Sequence, residues 1–114
     1  MKTLLTLFVL LFSSSVVAEV KQEDLQKSLT AGLYNRMSYD CGWATYSQYS
    51  KITKNFYKFA KKKYRYKSDY NQMIDTFDHG QKREILQKFC KQANDNVISS
   101  RKRFVKRGLK GKFW

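Results

Sequence analysis

The sequence predicts an all-α domain, a small helical bundle of about four helices closed by one disulfide, and three observations carry that expectation. The chain has no proline and only five glycines, so little in it breaks a helix. Adjacent β-branched residues are few, which leaves little to favour strands. Apolar residues also recur at three- and four-residue spacings over long stretches.

The first element is not part of that bundle. Met1, Lys2 and Thr3 form a short positive region, residues 4–12 are almost wholly apolar, and three serines lead into Val16-Val17-Ala18. This is the pattern of a secretory signal peptide, residues 1–18, cleaved after Ala18. Its apolar core falls well short of the roughly 20 residues that span a bilayer. No other stretch is long and apolar enough to span.

Helix one is expected over 21–37. Glu23 and Asp24 suit its N-terminus, and Leu25, Leu29, Leu33 and Met37 repeat every four residues as one apolar stripe. Residues 38–42 interrupt it. A second helix over 43–64 turns Tyr49, Ile52, Phe56, Phe59 and Ala60 inward. Ser68 is the expected N-cap of a short third helix through Tyr70, Met73, Ile74 and Phe77, and Asp78-His79-Gly80 reads as a turn. Helix four is expected over 81–104, with Ile85, Leu86, Phe89, Ala93 and Val97 on one side. Gly108 and Gly111 mark a mobile basic tail that ends in Phe113 and Trp114. The domain organisation is thus a signal peptide at 1–18, a helical domain at 19–107 and a basic aromatic tail at 108–114.

A domain of this size sits near the limit at which a hydrophobic core suffices. Cys41 and Cys90, exported to an oxidising space, are expected to pair, and the closed loop removes roughly 4 kcal/mol of unfolded-state entropy. Reduced, redox-active or metal-binding thiols are the competing reading. No Cys-x-x-Cys is present and His79 is the only histidine.

After residue 18, 22 lysines and arginines face 9 aspartates and glutamates, a net +13. Two blocks hold the excess. Lys51, Lys54, Lys58, Lys61, Lys62, Lys63, Arg65 and Lys67 form one, and Arg101, Lys102, Arg103, Lys106, Arg107, Lys110 and Lys112 form the other. Such blocks attract anions and steer acidic partners. Tyrosines 46, 49, 57, 64, 66 and 70 lie in and beside the first block, a mixture favoured at protein interface centres and able also to stack bases. Residues 101–107 mix cations with apolar side chains, as a segment lying on anionic lipid does; a solvated, non-specific tail is the competing reading. Lys54, Lys58, Lys61, Lys62, Tyr64, Arg65, Tyr66, Arg101, Arg103 and Lys106 are therefore the candidate partner-binding residues.

Catalytic signatures are sparse. His79 follows Asp75 and Asp78, yet no serine or free cysteine nucleophile stands in a recognised motif, and metal sites draw on more than one such ligand. Asp40, Glu84 and Asp95 are too scattered to assign as a glycosidase acid and nucleophile. No Gly-rich phosphate loop, His-Glu-x-x-His or Gly-x-Ser-x-Gly occurs. The expectation is a binding protein and not an enzyme, without cofactor or metal.

Cys41-Gly42-Trp43 resembles the spackle proteins of T4-type bacteriophages. That family is similar in its signal peptide, its small mature domain, its Cys-x-Trp and a second cysteine after an aromatic about 50 residues on, matched here by Phe89-Cys90. Asn94 and Asn96 are loosely similar to an asparagine-rich stretch that follows. The resemblance spans residues 39–98 and carries over Cys41, Trp43 and Cys90 as structural residues. It implies a periplasmic, helical, disulfide-bonded protein that binds the lysozyme domain of an incoming phage's tail and blocks superinfection. The strong basicity departs from the family, although a cationic inhibitor would complement the acidic cleft of a glycosidase.

The leading expectation is thus a periplasmic or secreted protein that binds an acidic protein partner, a lysozyme domain by the resemblance, through the 51–70 surface. The alternative is an envelope-surface protein whose basic regions bind anionic lipid or lipopolysaccharide. Nucleic acid is not expected outside the cytoplasm. An acid-stress chaperone ranks lower, because one histidine and few carboxylates leave it little to titrate.

Overall fold

The computed structural model describes residues 20–114. The expected signal peptide lies outside them. The described chain is helical throughout, without a strand: α1 (Gln22–Asp40), α2 (Tyr46–Lys63), α3 (Lys67–Gln81), a short α4 (Gln87–Gln92) and α5 (Asp95–Leu109). Cys41 and Cys90 are joined in a disulfide with their Cα atoms 5.4 Å apart.

Local chemistry sets the boundaries. Gly42 at φ +77° turns the chain after α1, and the Ser38 carbonyl accepts from the N–H groups of both Trp43 and Ala44. Thr45 opens α2 with a reciprocal capping box, its hydroxyl accepting from the Gln48 N–H and the Gln48 side-chain oxygen Oε1 from the Thr45 N–H. Asn94 accepts from the Val97 N–H at 2.9 Å and starts α5.

The buried face of α1 departs from the expected leucine stripe. Leu25, Leu29, Leu33 and Met37 are only half-buried, whereas Asp24, Ser28, Ala31, Gly32, Asn35 and Ser38 are buried. Close approach of α3 is the reason. A Cβ on Gly32 would overlap the Phe77 carbonyl oxygen, and one on Gly80 would stand 2.5 Å from the Leu29 carbonyl oxygen. Backbones meet at this crossing, so the face between them holds small residues. Polar groups there are bonded across three helices. The Asn35 amide donates to the Gln81 side-chain oxygen at 2.6 Å and to the Tyr49 carbonyl at 3.2 Å, and the Thr53 hydroxyl donates to Gln81 at 2.9 Å.

The apolar core includes Ile52, Phe56, Ala60, Met73, Phe77, Val105 and Phe113. Phe56 and Phe77 stack with ring centroids 4.1 Å apart, and Phe113 meets Phe56 edge-on at 5.1 Å.

Four further expectations are corrected. Asp78-His79-Gly80 is not a turn but the last full turn of α3, which ends only at Gln81 because Gly80 packs on α1. The single helix over 81–104 is broken twice: Leu86 and Ala93 are both extended, the periodicity restarts, and Leu86 and Phe89 stay exposed at 56% and 50%. The expected mobile tail is ordered. α5 continues to Leu109, Gly111 at φ +77° reverses the chain, the Lys112 N–H donates to the Arg107 carbonyl, and Phe113 enters the core. Ser68 likewise lies inside α3, which Tyr66 precedes.

Candidate cationic interface

Charge is segregated by helix. α2 carries no aspartate or glutamate, and Asp95 at the N-terminus is the single acid on α5. The remaining acids of the helices lie on α1 and α3, and several are engaged there. The Tyr64 hydroxyl donates to Asp24, the Tyr57 hydroxyl to Asp78 at 2.8 Å, and the Arg36 guanidinium to Asp40 at 2.9 Å.

Lys51, Asn55, Lys58 and Lys62 recur one turn apart along α2, which places them on one stripe. Across from it lie Lys110 and Gly111 at the end of α5, and together they line a groove of about 300 Å³. The Asn55 amide closes its floor by donating to the Gly108 and Leu109 carbonyls at 3.0 and 3.2 Å. Lys110 of the second basic block, 48 to 59 residues further along the sequence, therefore meets three lysines of the first at one groove.

On the other flank of α5 a larger groove of about 620 Å³ runs against α1. Arg103, Arg107 and Lys112 stand with Lys27 around Tyr34, Phe104, Phe113 and Trp114. The ion pairs of the described residues are Lys27–Glu23 and Arg36–Asp40, so the cations of α5 have no carboxylate partner there.

The ten candidate partner-binding residues separate accordingly. Lys58 and Lys62 line the lysine groove, and Arg103 the larger one. Lys54, Lys61, Arg65, Tyr66 and Lys106 are exposed, with Lys61 reaching over the Tyr70 ring. Tyr64 and Arg101 make contacts within the fold. Tyr64 bonds Asp24, and the Arg101 guanidinium lies 3.5 Å from the centre of the Tyr34 ring. Lys51 and Lys110 join the groove although they were not singled out; the spacing of Lys51, Lys58 and Lys62 at i, i+7 and i+11 is the signal that marks the stripe.

His79 is exposed on α3 and borders a shallow groove with Asp75, while Asp78 is turned to Tyr57. That arrangement supplies neither a nucleophile–base pair nor a metal site, and the described residues hold no group of three His, Cys, Asp or Glu that could take a metal. No helix among the described residues is long and apolar enough to cross a membrane. Compared with protein-family models, curated proteins and solved structures, the chain matches none.

Proposed function

We propose that this is an exported binding protein that docks an acidic protein surface through the cationic face of α2 and α5. The supporting observation is the lysine groove, where Lys51, Lys58 and Lys62 of α2 meet Lys110 just past the end of α5, two helices carrying one acid between them. Such a face raises association rates with acidic partners and loses that advantage in salt. The Cys41–Cys90 disulfide suits an oxidising compartment. The partner class follows from the resemblance to spackle proteins: a lysozyme-type cell-wall hydrolase, inhibited in the periplasm by occupation of its acidic cleft.

The test mixes the mature protein with lysozyme-type enzymes and follows peptidoglycan hydrolysis and complex formation. Inhibition that weakens about tenfold in the Lys58→Glu, Lys62→Glu double variant is expected. Neither complex nor inhibition with any of them would overturn the hydrolase reading. Salt-sensitive binding to anionic vesicles without a protein partner would transfer the face to an envelope surface.

A further inference from the structure

The larger groove is chemically unlike the lysine groove. Its aromatic residues lie deepest, with Phe113 buried and Tyr34, Phe104 and Trp114 half-buried. Its cations lie outermost. Arg103, Arg107 and Lys112 are exposed and have no carboxylate partner among the described residues, while Glu23, the one acid at the groove, is paired with Lys27 at 3.3 Å. The volume of about 620 Å³ falls in the range of small-ligand sites.

Shape narrows the class of ligand. The lining residues of α1 extend from Glu23 to Tyr34, three turns of helix, so the groove follows the helix axis for about 16 Å. That length suits an extended chain better than a compact ring. An apolar body against Phe104, Phe113 and the rings of Tyr34 and Trp114, which also carry the Arg101 and Lys27 cations, and a single negative head against three cations without a carboxylate partner satisfy both layers.

We infer that the α1–α5 groove is a binding site for a single-chain anionic amphiphile, with its acyl chain on Tyr34, Phe104, Phe113 and Trp114 and its head at Arg103, Arg107 and Lys112. This site is separate from the lysine groove and does not rest on a hydrolase partner. Lys58 and Lys62 take no part in it.

Trp114 provides the reporter. The chain has two tryptophans, so Trp43→Phe leaves the one in the groove. Titration of that mature protein with laurate below its micelle threshold is expected to give a saturable one-to-one change in Trp114 fluorescence, about tenfold tighter than with dodecanol. Lys112→Glu should weaken laurate about tenfold and leave dodecanol unchanged. Thr30→Phe, at an exposed position that lines the groove, should abolish both responses while helix content and melting temperature stay as in the parent. Phosphatidylcholine–phosphatidylglycerol vesicles separate a monomeric ligand from a bilayer. A response to vesicles without one to laurate, no saturable response at all, or equal affinity for laurate and dodecanol each overturns the assignment.

Discussion

Single residues at the α1–α3 seam and the α2–α3 contact set local stability. Burial, reinforced by the bond to Asp78, pushes the Tyr57 phenol from 10.0 up to about 12. The fold thus favours the neutral phenol. Its contribution is complete below the unfolded value and is lost as pH rises through the window from 10 to about 12. Screening by water at this half-buried site leaves about 1 kcal/mol. Tyr57→Phe should therefore lower stability by about 1 kcal/mol at neutral pH and flatten the alkaline limb of urea unfolding against pH; parallel limbs would refute the assignment. Glycines give a sharper contrast. Gly32→Ala and Gly80→Ala each drive a methyl into backbone of the facing helix, and each should cost about 3 kcal/mol or more in thermal unfolding. Gly42→Ala meets open space and carries only the strain of φ +77°, about 1 kcal/mol.

Among the elements, the disulfide and the C-terminal turn do different work. No residue of α4 is buried. Its segment is held by the disulfide and by Asp40, whose carboxylate accepts from the Ile85 N–H at 3.0 Å and whose carbonyl accepts from the Gln87 amide at 3.1 Å. In a Cys41→Ser, Cys90→Ser protein the helical signal should persist with a lower melting temperature, and limited proteolysis should cut first within residues 82–92. Cleavage elsewhere first would show the bond to be holding the core. The sequence made α2 legible, since Ile52, Phe56 and Ala60 carry its core face where the amphipathic pattern is strong. The break at Asn94 was also written there, because Asn94-Asp95 is a helix start, but the apolar run across 85–97 masked it. Phe113 shows the reverse case. Removal of residues 112–114 should cost about 3 kcal/mol in thermal unfolding through loss of that ring.

At the scale of the whole molecule, charge is divided between helices so that the acids of α1 and α3 are largely engaged and the cations of α2 and α5 face solvent. Binding to an acidic partner should accordingly slow steeply in association between low salt and physiological salt, with dissociation changing much less; stopped-flow measurement at both conditions checks this. Helical class, the Cys41–Cys90 pairing and the two cationic blocks were determined by the sequence alone, because composition, cysteine count and charge are local sums that folding does not alter. Which residues lie inside α1, where α3 ends, and the meeting of Lys110 with Lys51, Lys58 and Lys62 at one groove were decided only by tertiary structure. Those features depend on backbone contact at Gly32 and Gly80 and on the return of Phe113 to the core, interactions between residues far apart in the chain that no periodicity encodes.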